Sequence, residues 1–374
     1  MKIVYVYSDS PMEWNSSEWR CAVPARAINR TGVLSARLLS KHEFVRNTPK
    51  AQEACSAAAI IIVERSLYGP MLSAIQHWKV HDKVIIADFD DAYQLITADN
   101  PSYPFWAENK TRRVDENGQE IEIIMDQPAL TQFKWGLRLV HAATVPSKRL
   151  ADDWQEFTQM LYLPNYIDLQ KYQNVTSHSH NGIVIGWGGS VSHYKSFTQS
   201  GVIPALQSVC RTYPNTKVMI CGNDQRIIDA LQLPEQNIIH KPWVPYSQWP
   251  NYLAEYDIGL APLSGTYDDR RSWIKVLEYM VMKIPWIATD SPAYSDLRTY
   301  GWLVKNTPGA WERVLFDMVN HLEDYKAEAT EGPYLFGIAQ NIDENIDEVI
   351  SIYTGVINQV LGETPAWCQQ INIQ

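Results

Sequence analysis

The sequence predicts an α/β protein made of two Rossmann-like, doubly wound domains, each a parallel sheet with helices on both faces. Three observations predict it. Short, continuous apolar runs recur along the 374 residues, as strands buried on both faces require. Each run is followed by polar or turn residues and then by a helical pattern, the alternation that builds a parallel sheet. The runs also fall into two series with a Pro- and Asn-containing break between them, and a chain of this length has room for two cores.

Taken in order, residues 3–7, 59–63, 84–87 and 142–145 are the expected strands of the first series. Residues 183–187, 217–221, 237–240, 258–262 and 286–289 are those of the second. Between them, Leu163-Pro164-Asn165-Tyr166-Ile167-Asp168 breaks the preceding element, and a polar stretch follows. The boundary is therefore placed after residue 165, giving a domain of residues 1–165 and a second of residues 166–341. Residues 99–130 read as an excursion from the first domain, with alternation around Asn117-Gly118 that signals a hairpin. Residues 342–374 carry Ile346, Ile350, Tyr353, Val356 and Val360 at helical spacing, which predicts a closing helix and a tail.

Composition narrows the function. With 32 basic and 42 acidic residues, the net charge of −10 argues against a phosphate-neutralising nucleic-acid binder. Residues 1–165 hold 18 basic and 20 acidic residues, against 14 and 22 in the remainder. The first half therefore meets an anionic surface more easily, which leaves peripheral membrane contact open. Five cysteines without CxxC spacing read as reduced thiols of a cytoplasmic protein, not as a zinc or disulfide framework. The first residues run straight into polar sequence, which predicts no secretory leader. The longest apolar run, residues 57–63, is too short to span a bilayer.

Four stretches carry candidate chemistry. Ile185-Gly186-Trp187-Gly188-Gly189-Ser190 is a strand ending in a glycine-rich turn, with Lys195 six residues beyond Gly189. Such a turn lets backbone N–H groups approach a diphosphate, though most are purely structural. In Arg271-Ser272-Trp273-Ile274-Lys275-Val276-Leu277-Glu278, a helix from about Ser272 would put Arg271, Lys275 and Glu278 on one face. The two cations suit a diphosphate and the carboxylate a ribose diol; the plain alternative is a solvated ion-pair ladder. Asp88, Asp90 and Asp91 directly follow a strand, at the sheet edge where ligands bind. They could orient an acceptor hydroxyl, serve as a base or hold a cation, or simply cap a helix. Last, Trp243-Val244 lies in a Pro-flanked loop that could hold a nucleobase, and Arg20 follows the first strand as a candidate acceptor contact.

The second half resembles the donor domain of GT-B glycosyltransferases, and of their family 4 in particular. The resemblance is carried by Ile258-Gly259-Leu260-Ala261-Pro262-Leu263, by Ser272 through Met280 and by Ile284-Pro285-Trp286-Ile287-Ala288-Thr289-Asp290. Leu163 through Asp168 resembles the family's interdomain segment, and Gly189 through Lys195 its phosphate motif. Ser190 stands where the motif has arginine, and Arg270 where it has the first of two glutamates.

The resemblance implies two domains facing a central cleft. It implies that Glu278 binds the donor's ribose, that Lys195 binds its diphosphate and that Trp243-Val244 holds its base. It also implies retention at the anomeric carbon and no metal requirement. The expected function is therefore sugar transfer from a UDP- or GDP-sugar to a glycan or other hydroxyl acceptor. Lys195, Arg271 and Lys275 would stabilise the leaving diphosphate, with no cofactor beyond the nucleotide sugar. The alternatives are a nucleotide-sugar epimerase, a sugar phosphorylase and a catalytically altered module that binds nucleotide or glycan. A nicotinamide-dependent dehydrogenase is disfavoured because no G-x-G-x-x-G follows the first strand.

Overall fold

The computed structural model describes residues 1–10, 15–114, 119–175 and 180–362. The chain divides into two compact units: residues 1–166 with 342–374, and residues 167–341.

The first unit is a six-stranded sheet of β1 (Lys2–Tyr7), β2 (Ser35–Ser40), β3 (Ile60–Glu64), β4 (Val84–Asp88), β7 (Ala142–Val145) and β8 (Met160–Tyr162). Its order is β2-β1-β3-β4-β7-β8, and every pairing is parallel. The Ile- and Val-rich sequences of β3 and β4 are buried at every residue, as expected of central strands covered on both faces. The order reverses direction between β1 and β3, the flavodoxin-like form of a doubly wound sheet.

On one face, Ile3, Tyr5, Ile60, Ile62 and Ile86 pack with Ala27 and Ile28 of the helix Val23–Arg30. They also pack with Ile346, Ile350, Tyr353 and Ile357 of the helix Ile342–Leu361. The end of the chain thus completes the core of the first unit. Residues 99–130 contain a short helix (Tyr103–Ala107) and an antiparallel pair, β5 (Lys110–Val114) and β6 (Glu120–Ile124). The Asn117-Gly118 turn lies outside the described residues. Trp106 stacks on Tyr93 at 3.8 Å and ties the excursion to the sheet's edge.

The second unit is a sheet of β9 (Val184–Gly188), β10 (Lys217–Cys221), β11 (Ile238–Lys241), β12 (Ile258–Ala261), β13 (Trp286–Thr289) and β14 (Trp302–Val304). Its order is β11-β10-β9-β12-β13-β14, again all parallel. This is the Rossmann order, with the switch point between β9 and β12. Ile185, Val218, Ile258 and Ile287 point into one core and Val184, Met219, Trp286 and Ala288 into the other. The alternation follows from the two-residue period of a strand.

Gly186 and Gly259 are register partners on the central strands. A Cβ on Gly186 would lie 2.1 Å from the Tyr256 ring, and one on Gly259 2.6 Å from the Tyr279 ring. The two tyrosines therefore lie flat where side chains would otherwise stand. Gly186→Ala is expected to lower stability by about 1–3 kcal/mol, the usual cost of overpacking, measured by urea unfolding. A change within about 0.5 kcal/mol, as at an indifferent surface position, would contradict this packing.

Candidate functional sites

Each unit gathers polar side chains at the carboxyl edge of its sheet. In the second unit, β9 ends at Gly188 and the chain turns through Gly189 and Ser190 into the helix Tyr194–Gln199. The turn is shaped by contacts that only glycine permits: a Cβ on Gly188 would lie 2.2 Å from the Trp249 ring. The N–H of Gly189 donates to the carbonyl of Cys221 (3.0 Å), so the sheet already uses it.

Lys275, on the helix Ile274–Val281, donates its ammonium to the carbonyl of Gly188 and lies 5.1 Å over the Trp187 ring. Burial pushes its pKa down to about 8, against the raising effect of Glu278, Cys221 and Asp268; Arg271 lowers it further. Lys275 is half-buried, and an anion placed beside it would favour the charged form that desolvation disfavours.

The helix starts at Ile274, not near Ser272. Arg271 is therefore not one turn before Lys275 on a helical face, but in the loop after the short helix Gly265–Asp268. It still joins the group. Its Nε donates to Asp268 Oδ1 at 2.7 Å, and a terminal nitrogen donates to Ser192 Oγ at 3.0 Å. Ser192 Oγ in turn lies 2.9 Å from Ser190 Oγ. Asp268 is buried, accepting also from Ser196 Oγ (2.6 Å) and the Ser264 N–H (2.7 Å). Beside it, burial together with Arg271 and Lys275 holds His193 well below the usual imidazole range, hence uncharged. Lys195 is half-buried in the first turn of Tyr194–Gln199.

Glu278 lies one turn beyond Lys275 and is buried. Its Oε1 accepts from Tyr172 Oη and from Trp249 Nε1, both at 2.8 Å, and Tyr246 Oη lies 2.7 Å from Tyr172 Oη. Burial pushes its carboxyl up to about 7, opposed by these hydrogen bonds and by Lys275. The loop after β11 holds Trp243, whose N–H donates to Asn223 Oδ1 at 3.0 Å, and the half-buried Val244. The same segment continues to Trp249, which reaches Glu278, and to Tyr246, which reaches it through Tyr172. Asp268, Ser192, His193, Tyr172 and Trp249 were not read as site residues from the sequence. Asp268 had a local signal in lying three residues before Arg271, and Ser192 and His193 in lying within the Gly189–Lys195 stretch; Tyr172 and Trp249 had none.

In the first unit, Arg20 and Asp88 are not a rim. They are 4% and 1% exposed and face each other in a two-pronged pair, with Nε and a terminal nitrogen each 2.8 Å from a carboxylate oxygen. Arg20 also donates to the Leu163 carbonyl and to Asn165 Oδ1, each at 2.8 Å, and Asp88 accepts from Thr144 Oγ1 at 2.6 Å. These partners occupy the side chains proposed for acceptor binding and catalysis, so the two residues read as a closed structural pair. Asp90 and Asp91, just beyond, are half-buried. Burial first, and then Asp91, push the Asp90 carboxyl up to about 6.

Next to them the structure adds residues that the sequence did not single out. Glu64, ending β3, accepts from the Ser8 N–H (2.8 Å) and Ser17 Oγ (2.9 Å), and burial pushes it up to about 7. Arg65 pairs with Asp9 and lies 3.3 Å from Glu64. Among the described residues, no three His, Cys, Asp or Glu side chains are grouped to hold a metal ion. No helix among them is long and apolar enough to cross a membrane.

The comparisons bear on the fold and on the second unit's family. Residues 183–321 match the model of the family Glycosyl transferases group 1, a stretch running from β9 to the helix Pro308–Asn320. Anabaena HepE in complex with UDP and glucose superposes with a TM-score of 0.63 at 12% identity, over 94% of this chain and 99% of that one. Sucrose-phosphate synthase from Thermosynechococcus elongatus gives 0.61 at 11%, over 96% and 99%. UDP-GlcNAc 2-epimerase from Neisseria meningitidis bound to UDP-GlcNAc gives 0.52 at 10%, over 94% and 99%. A search of curated protein sequences finds no match. The fold is the GT-B fold of two doubly wound units, and the second unit resembles the group 1 glycosyl transferases in sequence as well.

The Arg20–Asp88 pair yields a direct test. Asp88→Ala leaves a buried guanidinium without its counter-charge and is expected to cost about 3–5 kcal/mol in urea unfolding. Replacing both residues by leucine should cost less than the single change, since no lone charge remains. A single change worth under about 1 kcal/mol, the scale of a surface ion pair, would show the pair to be dispensable.

Proposed function

We propose that the chain transfers a glycosyl group from a nucleoside-diphosphate sugar to a hydroxyl acceptor. The observation that carries this reading is the group of charged side chains at the switch point of the second sheet. There Lys275 and Arg271 converge beside the Gly188–Ser190 turn, and Glu278 lies one helical turn away.

Lys275 and Arg271 face two buried carboxyls, Asp268 and Glu278, of which burial pushes Glu278 up to about 7, so that positive charge remains where a diphosphate would sit. Preorganised cations stabilise the charge that builds on a leaving diphosphate without reorganising at the moment of reaction. Lys195 is assigned to the same task by its place in the motif. In the donor complex, Glu278 would exchange its tyrosine and indole donors for the ribose hydroxyls, and Trp243-Val244 would hold the base. Cations in this role make a metal unnecessary, and retention follows the family resemblance. UDP is the nucleotide favoured, because the superposed HepE and epimerase structures hold UDP or a UDP-sugar.

The epimerase superposition favours one second reading, the epimerisation of a nucleotide sugar. It differs in needing no acceptor.

The test is a panel of UDP-, GDP- and ADP-sugars, read by thermal stabilisation and by nucleotide release, with EDTA present and absent. One nucleotide class at a hundredfold excess over its Kd should stabilise the protein by about 2.7 kcal/mol. The shift should weaken in Glu278→Ala and Lys275→Ala and be indifferent to EDTA, and nucleotide release should rise when a hydroxyl acceptor is added. Conversion of the sugar with no acceptor and no nucleotide release would select the epimerase. No shift with any nucleotide would defeat both readings.

A further inference from the structure

The order of the first sheet reverses between β1 and β3, and in a doubly wound sheet ligands bind outside the carboxyl ends of the strands at that point. What gathers there is acidic. Asp9 follows β1, Glu64 and Arg65 end β3, and Asp90, Asp91 and Tyr93 follow β4. Arg65 pairs with Asp9 and Glu64, while Arg20 is taken up by Asp88.

The group is also short of donors. Glu64 is 1% exposed, and its Oε1 makes no hydrogen bond beyond its 3.3 Å ion-pair approach to Arg65. Asp90 bonds Ser16 through one oxygen, while its Oδ1 is buried and unbonded. Tyr93 is 4% exposed, and its hydroxyl has no partner. The charges acting on that hydroxyl most strongly are, in order, those of Asp90, Asp91, Arg65 and Glu64. Its ring is fixed from behind by stacking on Trp106. Three buried oxygen atoms thus lack hydrogen-bond donors in a field of four carboxylates, and buried polar atoms are rarely left so. The group reaches solvent through the half-buried Asp90 and Asp91 and through Arg65, whose side chain is 28% exposed.

We propose that this edge of the first unit binds a protonated amine carried on a polyhydroxyl compound, which makes an amino sugar or amino polyol the acceptor class. Calling the ligand an acceptor rests on the transferase reading; the binding site itself does not. An ammonium supplies three donors and no acceptor, the complement of a group whose buried oxygens lack donors. It also neutralises charge that Arg65 alone does not. An acceptor bearing phosphate or carboxylate would be repelled. A divalent cation is disfavoured because no three of the described carboxylates, imidazoles or thiols are grouped to coordinate one. The raised positions of Asp90, at about 6, and Glu64, at about 7, have burial as their first cause. Beside it Asp90 feels Asp91, Ser16, Arg65 and Arg20, and Glu64 feels Arg65, Asp9, Asp90 and Ser17. An ammonium should therefore bind better as pH rises through this range and both groups ionise.

Glucamine and sorbitol differ only in an amine replacing one hydroxyl, and calorimetric titration of the full chain with each at pH 7.5 is the test. Glucamine should bind about tenfold more tightly, the size of one charge-assisted hydrogen bond. The preference should fall severalfold at pH 5.5 and in Asp90→Asn, with Tyr93→Phe as a milder second variant if the first fails to fold. Equal binding of the two compounds, no binding of glucamine, or a preference untouched by both variants overturns the proposal. UDP is titrated in parallel. UDP binding without amine preference removes this inference alone, whereas amine preference with no nucleotide-sugar turnover removes the transferase reading and leaves the amine site.

Discussion

Every strand pairing in the two six-stranded sheets is parallel, and the rest of the structure depends on that constraint. Parallel strands need crossover connections, and the crossovers cover both faces with helices. The faces are then available only for apolar packing. Polar chemistry is driven to the edges, and the carboxyl edge receives the loops that the crossovers launch. That is why Gly188, Arg271 and Lys275 meet in one unit, and Glu64, Arg65, Asp88 and Asp90 in the other.

The two edges solve the problem of buried charge differently. Arg20 and Asp88 satisfy each other and tie the loop after β1, the end of β4 and residues 163–165 together. A pair of this kind is retained through geometry more than through net stabilisation, because desolvation consumes most of the Coulomb gain. Lys275 has no such dedicated partner. Its ammonium rests on a carbonyl and an indole face, with Glu278 a turn away. A perturbed group with a specific charged neighbour at the carboxyl edge of a parallel sheet is a candidate functional site.

The central strands were legible because they are continuous runs of Ile, Val and Ala. β2, β8 and β14 were missed for the opposite reason. They are edge strands and only partly buried; β2 (SARLLS) breaks its apolar residues with Ser and Arg, and β8 and β14 are only three residues long. Of the site, the sequence placed Gly188, Ser190, Arg271, Lys275 and Glu278 near one another through spacing and family resemblance. It could not place Tyr172 or Trp249, which reach Glu278 from 106 and 29 residues away. For Arg20 and Asp88 the residue types were noticed, but not their burial or their pairing with each other. Burial and pairing are tertiary facts, and a charged residue next to a strand reads alike whether it faces water or another charge.

The central claim is that Lys275 is a protonated, desolvated cation that awaits a diphosphate. Calorimetric titration of UDP from pH 7.5 to 9.5, for the native protein and for Lys275→Met, tests it most directly, since the phosphates stay ionised throughout. With the ammonium titrating at about 8, the native affinity should fall by about tenfold or more across that range. The variant should bind at least about tenfold more weakly at pH 7.5 and lose most of the pH dependence. A variant that binds UDP as tightly as the native chain, or a native affinity flat from pH 7.5 to 9.5, would contradict the account.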